Sequence, residues 1–151
     1  MESMSLDNPV FRVFLGHSVL VLFKTCLMSV ITVAVYYGSP GEKTINKDDA
    51  GKGVRKNKKS EALANVERVR RCHLNDLENV IPFVILGLLY VATGPDIESA
   101  TIRFRIFTIS RFFHTIFYLF AIPQPTRFLA FLAGFAINIS MIYRILIPAN
   151  F

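Results

Sequence analysis

The sequence predicts an all-α membrane protein, in which four transmembrane helices form a bundle within one integral membrane domain over residues 1–151. Of the 151 residues 52% are hydrophobic, including 14 Phe, which is more apolar bulk than a small soluble core can bury. Mean hydropathy is +0.43, and the apolar residues gather into runs typical of membrane helices. The alternating short segments of a membrane β-barrel are absent from the sequence. We expect spans at approximately 10–37, 71–94, 102–121 and 126–147.

The N-terminal segment and the first connection predict the orientation of the chain. Met1 to Pro9 lacks the basic start of a signal peptide, so we expect the first span to remain as an anchor. The connection at 38–70 is predicted to be a solvated cytosolic loop, because basic residues beside a span mark the cytosolic side. These residues are Lys52, Arg55, Lys56, Lys58 and Lys59. Contact with anionic lipid heads fits such a run, whereas nucleic acid is not expected as a partner. The chain termini and the Gly94–Ser99 turn are then expected on the opposite side.

The second span is too short in its apolar part to cross a bilayer. Val80 to Thr93 comprises 14 residues, about 21 Å of helix against a hydrocarbon core of about 30 Å. A continuous helix would draw Asn75, Asp76 and Glu78 to membrane depth, where polar groups need protein or water around them. We therefore expect these side chains to line an interior. The alternative is a helix that begins in the headgroup region, with all of these groups in water.

The same helix predicts one polar face. Arg71, Asn75 and Glu78 recur at i, i+4 and i+7, which places them on one stripe. Pro82 lacks the N–H that would have bonded the Glu78 carbonyl, so this stripe has a spare acceptor.

The third span carries a second polar stripe. Arg111, His114 and Tyr118 recur at i, i+3 and i+7, which aligns a guanidinium, an imidazole and a phenol. Arg111 lies too far from the next loop to reach water, so we expect it to pair with Asp76 or Glu78. The alternative is an ion pair that only orients two helices.

The first and fourth spans add further candidates. Lys24, near the middle of span one, is predicted to pair with an acid of span two, and Lys24 and Asp76 are the structural ion-pair candidates. Thr126 is predicted to cap helix four, which places Arg127 at the positive end of its dipole; an ordinary interfacial arginine is the alternative. A ridge of small and polar residues suits close helix packing, and an aromatic stripe is typical of a lipid or core surface. The ridge is Ala130, Gly134 and Asn138; the stripe is Phe128, Phe131 and Phe135.

These groups together indicate a small polar ligand near the cytosolic rim. Two arginines, a carboxylate, an amide, an imidazole and a phenol suit a water-soluble molecule with carboxylates and an amine. No His, Cys or carboxylate set has the spacing of metal ligands, so no metal is expected. Nucleophile motifs and glycine-rich phosphate loops are missing from the sequence. With only Cys26 and Cys72, we expect no disulfide framework.

Four motifs carry a resemblance to a known family: "VERVRRCHLNDLENVIPF", "LGLLY", "SRFFHTIFYL" and "PQPTR". From about Val66 to Tyr143 their identity and spacing resemble the MAPEG family, membrane-associated proteins in eicosanoid and glutathione metabolism, and most closely its microsomal glutathione transferase branch. The resemblance implies a homotrimer of four-helix protomers in the endoplasmic reticulum membrane; the outer mitochondrial membrane is an alternative location. It implies glutathione as co-substrate, bound between protomers toward the cytosol, and a hydrophobic electrophile that arrives from the lipid phase.

The resemblance also implies roles for individual residues. The positions that match the family's glutathione site are Arg71, Asn75, Glu78, Arg111, His114 and Tyr118. Arg127 matches the catalytic arginine that stabilises the thiolate. The implied activity is conjugation of glutathione to hydrophobic electrophiles, and the same thiolate could also reduce lipid hydroperoxides.

Other branches of the family provide the alternatives. The prostaglandin E synthase branch has a basic residue, an arginine, a serine and a tyrosine at the positions of Tyr36, Leu74, Phe128 and Phe131. The difference at Tyr36 leaves the first-helix part of the glutathione site unassigned. This chain also lacks the arginine, the serine and the tyrosine, and those three differences favour the general transferase over the isomerase. A lipid-binding scaffold without glutathione chemistry is the second alternative.

Overall fold

The computed structural model describes residues 4–38 and 52–148, with side chains described for 4–38 and 63–148. Four helices follow one another without a strand in these residues. They are α1 (Pro9–Gly38), α2 (Lys52–Ala92), α3 (Ile97–Leu119) and α4 (Thr126–Leu146).

Helix α2 is longer than the sequence analysis predicted. The predicted loop at 38–70 is wrong from Lys52 onward, because α2 begins there and continues through Pro82 to Ala92. Residues such as Lys, Arg, Glu and Ala favour helix even where no apolar periodicity marks one. The remainder of the predicted loop, 39–51, lies outside the described residues, as do the side chains of the basic run.

The start of α3 and the N-cap residue of α4 differ from those predicted, whereas α4 begins at Thr126 as expected. Helix α3 begins at Ile97 rather than near 102, because the Asp96 carboxylate accepts a hydrogen bond from the Ser99 backbone N–H at 3.0 Å. Pro125, rather than Thr126, is the N-cap residue of α4. The predicted Thr126 cap is wrong because its hydroxyl instead donates to the Pro123 carbonyl oxygen at 2.7 Å.

Three helices are long and apolar enough to cross a membrane. They are α1, the Leu63–Ala92 part of α2, and α4, with mean hydropathies of 2.2, 1.4 and 1.8. Helix α3 has 23 residues, about 35 Å of helix, but its three arginines lower its hydropathy. Length and composition alone therefore identify three of the four expected spans among the described residues.

Packing places α2 and α3 in contact with each other and with both α1 and α4. Toward the start of α1 the core is aromatic, and the rings of Phe83 and Phe107 stack with centroids 3.8 Å apart. Gly87 allows α1 to approach, since a Cβ there would overlap the Phe14 ring. Toward the end of α1, the smaller cluster of Met28, Val69 and Cys72 packs against the end of α3. The polar side chains of interest lie between these two apolar clusters and the start of α4.

Candidate functional site

Helices α1, α2 and α3 enclose a layer of charge. Lys24 and Asp76 are 5% and 0% exposed, and the Lys24 Nζ lies 2.5 Å from Asp76 Oδ1. Lys24 Nζ also donates to Thr115 Oγ1 at 2.9 Å and to the Arg111 carbonyl oxygen at 3.3 Å. The acid that the sequence left open for Lys24 is thus Asp76.

Arg111 lies in the same layer, and its partners differ from those predicted. It is fully buried and donates to Asn75 Oδ1 at 3.3 Å and to the Ala130 carbonyl oxygen at 2.8 Å. The predicted ion pair of Arg111 with Asp76 or Glu78 is wrong, since Asp76 is bonded to Lys24 and Glu78 is exposed. Both of the oxygens that Arg111 contacts are neutral.

Close packing against α4 holds the Arg111 side chain in place. A Cβ at Gly134 would lie 2.9 Å from Arg111 Nε and 2.9 Å from Ser110 Oγ, which is tighter than real Cβ contacts. The Arg111 Cζ lies 5.9 Å from the ring centroids of both Phe107 and Phe131. Glycine on the small-residue ridge therefore makes room for a guanidinium as well as for close helix packing.

The buried layer has an excess of positive charge. Among residues with described side chains, the buried charged ones are two cations, Lys24 and Arg111, and one carboxylate, Asp76, which leaves one positive charge without a buried counter-charge. An unneutralised buried cation is costly, and an anion placed beside it removes part of that cost. The layer therefore favours an anionic ligand.

A column of aromatic and basic groups leads from this layer toward the start of α4. The ring centroids of buried His114 and half-buried Tyr118 lie 5.0 Å apart. The Arg127 Cζ lies 4.9 Å from the Tyr118 ring centroid, within cation–π range. His114 Nδ1, Arg111 Nε and Arg127 Nε are buried without a hydrogen-bond partner among the described residues. These nitrogens therefore have an unused capacity for hydrogen bonds within the bundle.

The remaining predicted residues of α2 lie on its outer face. Asn75 is half-buried, but Arg71 and Glu78 are exposed. Arg71 Nε donates to Glu67 Oε1 at 3.0 Å on the same helix. The expectation that Asn75, Asp76 and Glu78 all line an interior is therefore wrong for Glu78 within one chain. Glu78 lies on the side of α2 that no other helix of the bundle covers.

On α4 the small-residue ridge faces the bundle interior, whereas most of the phenylalanine stripe faces outward. Ala130, Gly134 and Asn138 are buried, whereas Phe128 and Phe135 are about half exposed. An apolar cavity of about 500 Å³ lies between α3 and α4, and its lining includes Phe117 and Thr126, the sequence neighbours of Tyr118 and Arg127.

Three features of the site escaped sequence reasoning. Thr115 bonds to Lys24 and lies one turn after Arg111, a spacing that could have placed it on the same face. The Ala130 carbonyl oxygen and the gap at Gly134 depend on how α4 packs, which no local pattern reveals.

No group of three or more His, Cys, Asp or Glu side chains suited to a metal ion occurs in 4–38 or 63–148.

Comparison with known proteins places the chain in a family. The MAPEG family model matches residues 14–147. Microsomal glutathione S-transferase 1 of Bos taurus is 43% identical over 147 residues, covering 95% of this chain and 94% of that protein. The protein of the same name from Homo sapiens is 43% identical, with coverages of 93% and 92%. Prostaglandin E synthase of Bos taurus is 33% identical, with coverages of 83% and 80%.

The match extends from the first turns of α1 to the end of α4. This chain is therefore a member of the MAPEG family, as the four motifs predicted. Near-complete coverage also means that the buried charged layer and the Tyr118–Arg127 contact both lie inside the matched region.

Proposed function

We propose that the protein is a membrane-bound glutathione transferase that conjugates the glutathione thiolate to hydrophobic electrophiles. One observation carries the proposal, namely 43% identity over 95% of the chain to a relative named microsomal glutathione S-transferase 1. The geometry of the site supports it independently, because the buried layer favours an anion and offers unpaired nitrogen donors.

Glutathione matches this site in chemistry. It has two carboxylates, one amine and a thiol, so it can use cationic partners and one acidic partner. Arg111 and His114 present buried unpaired nitrogens, and the Asn75 amide lies beside Arg111. Charge-assisted hydrogen bonds from a guanidinium to a carboxylate are among the stronger ones in proteins. Glu78 would receive the glutathione amine.

A homotrimer would complete the site. Arg71 and Glu78 lie on the outer face of α2, where they can contact a bound ligand fully only if another chain covers them. Glutathione held between neighbouring protomers would contact this outer face of α2 on one protomer and His114, Tyr118 and Arg127 on the other. In this arrangement α3 also crosses the membrane, in addition to α1, α2 and α4. Its arginines allow this, because Arg111 is buried inside the bundle and Arg103 lies within two turns of the helix start.

The chemistry then depends mainly on Arg127. A free thiol has a pKa near 8.5, so at pH 7 most of it is protonated, and the thiolate is the nucleophile. A guanidinium about 4 Å from the sulfur at an effective dielectric near 20 contributes about 4 kcal/mol before desolvation. Arg127 is the second residue of α4, where the helix dipole adds in the same direction.

The reaction itself needs no covalent enzyme intermediate. The thiol proton passes to solvent, the sulfur lone pair forms the C–S bond, and the leaving group departs with its bonding electrons. The apolar cavity between α3 and α4 is lined by Phe117 and Thr126, the sequence neighbours of Tyr118 and Arg127, and would let an electrophile dissolved in the bilayer approach laterally. Binding, orientation and stabilisation of the thiolate supply the rate enhancement. Reduction of lipid hydroperoxides is a second activity that the same thiolate could perform.

We place the protein in the endoplasmic reticulum membrane, with the glutathione site toward the cytosol. The microsomal name of the relatives supports this location, and the basic run at the start of α2 supports the orientation. The outer mitochondrial membrane is the alternative location.

A glutathione-dependent prostaglandin E synthase is the second candidate function. The 33% identity to the Bos taurus enzyme of that name favours it. Leu74, Phe128 and Phe131 argue against it, because these apolar side chains stand where the resemblance to that branch implies an arginine, a serine and a tyrosine.

One experiment separates these functions. Detergent-purified protein is assayed for glutathione conjugation to a nitroaryl chloride and, in parallel, for isomerisation of a prostaglandin endoperoxide. A transferase gives conjugation well above the isomerase rate, whereas the opposite ranking would favour the synthase. Absence of all glutathione-dependent turnover would favour the lipid-binding scaffold and contradict the proposal.

A further inference from the structure

A second basic cluster lies at the end of the bundle remote from Arg127. Arg12, in the first turn of α1, and Arg105, on α3, line one cavity together with His17. The cavity occupies about 710 Å³ between α1 and α3, which falls within the usual range for small-molecule sites.

Neither guanidinium has an internal partner. Arg12 and Arg105 are exposed and make no side-chain hydrogen bond or ion pair with any described residue. Arg103, two residues before Arg105, differs because it donates to the Ser99 carbonyl oxygen at 2.8 Å, and its Cζ lies 5.6 Å from the Tyr90 ring centroid. The positive-inside rule does not account for these arginines, because they lie at the end of the bundle opposite to the basic run that begins α2. Their charge needs another explanation.

The rest of the cavity is apolar and faces outward. Its wall on α1 includes Leu15, Val19 and Leu20, which are 39%, 56% and 50% exposed. Arg12 is three residues from the start of α1 and Arg105 eight from the start of α3, about 5 Å and 12 Å along their helices. Both guanidinium groups can therefore extend to the headgroup layer, while the apolar wall continues toward the bilayer centre.

We propose that this cavity binds an anionic phospholipid. Its phosphate would lie between Arg12 and Arg105, since guanidinium groups donate two parallel hydrogen bonds to phosphate oxygens. One acyl chain would lie along Leu15 and Val19. The inference concerns the end of the bundle away from the glutathione site, and it stands whether or not the protein is a transferase.

Native mass spectrometry of the full chain in detergent tests the site. Phosphatidylglycerol and phosphatidylcholine are added separately, and we expect the wild-type chain to retain phosphatidylglycerol in preference. At about 1 kcal/mol for each basic residue, Arg12→Gln and Arg105→Gln should each reduce retention about fivefold, and the double variant about 25-fold. Arg144→Gln is the matched control, because this exposed arginine lies at the same end of the bundle but outside the cavity. Equal retention by the double variant and the wild type, or an equal loss in the control, would overturn the proposal.

Two further measurements separate a lipid from its headgroup and binding from folding. Glycerol phosphate carries the phosphate without acyl chains, so we expect it not to displace phosphatidylglycerol at equal concentration; full displacement would contradict the role of the apolar wall. A double Arg12→Lys, Arg105→Lys variant keeps both charges but loses the paired donor geometry. It should retain more lipid than the glutamine double variant and unfold at the wild-type temperature. Retention no better than that of the glutamine variant would contradict the role of charge.

Discussion

Arg127 places its guanidinium carbon 4.9 Å from the centroid of the Tyr118 ring, and this contact joins the start of α4 to the end of α3. A phenol face attracts a cation, so the contact fixes the guanidinium without neutralising it. The cation remains available to a sulfur anion. This relationship underlies the role that we propose for Arg127.

We predict that Arg127→Ala leaves glutathione affinity within about threefold of wild type but lowers kcat about 100-fold, the usual loss when one stabilising donor is removed. The reason is that the thiolate loses its nearest positive charge while the other ligand contacts remain. Isothermal titration and steady-state conjugation kinetics measure the two effects separately. Arg144→Ala, a change on the same helix at its far end, is the control and should keep full turnover. Unchanged turnover in Arg127→Ala would remove Arg127 from the mechanism.

A second prediction tests whether the Glu78 carboxylate contacts the glutathione amine directly or only contributes to the overall charge of the site. Glu78→Gln should weaken binding of glutathione more than binding of an analogue that lacks the amine, because the amine is the group that a carboxylate would receive. Titration of the two ligands against both proteins measures the difference. Glu98→Gln, at the opposite end of the bundle, should change neither affinity. If both ligands lose the same affinity, Glu78 does not contact the amine.

Gly134 tests the position of Arg111. An added methyl group in Gly134→Ala would press on Arg111 Nε and Ser110 Oγ. We expect either a loss of about 1–3 kcal/mol in the free energy of unfolding or a displaced guanidinium with weaker glutathione binding. Gly16→Ala is the matched control, since a Cβ there meets nothing within 4 Å. Wild-type stability combined with wild-type affinity in Gly134→Ala would contradict this account of the packing.

The Lys24–Asp76 ion pair gives a fourth prediction. Asp76→Leu should destabilise the protein by about 3–5 kcal/mol, because it leaves the buried Lys24 ammonium without a counter-ion. The double variant Lys24→Met, Asp76→Leu should recover most of that loss, since it replaces the pair with apolar side chains. Thermal unfolding in one detergent compares the three proteins. Additive losses in the double variant would show that the two charges are not coupled.

Local spacing was sufficient to predict much of the site. The α3 stripe of Arg111, His114 and Tyr118 follows from helical periodicity, and the small residues of α4 are buried as their spacing suggested. These features depend on one helix at a time. The short apolar part of α2 likewise indicated that Asp76 would be buried.

Features that depend on two helices were less accessible to sequence reasoning. Charge alone could not assign Asp76 to Lys24 instead of Arg111, because the choice depends on how α1 and α3 approach α2. The neutral partners of Arg111 were missed because one of them is a backbone carbonyl, which every residue has. The boundary of α2 at Lys52 was missed because the sequence at the start of this helix carries no apolar periodicity.

Ultraviolet difference absorbance of the thiolate tests most directly whether the cationic crevice holds glutathione as an anion. With glutathione bound to the wild-type protein, titration should give a thiol pKa one to two units below the free value of about 8.5. In the Arg127→Ala complex, the thiol pKa should lie close to the value for free glutathione. An unshifted thiol pKa in the wild-type complex, or an identical titration in Arg127→Ala, would contradict the account.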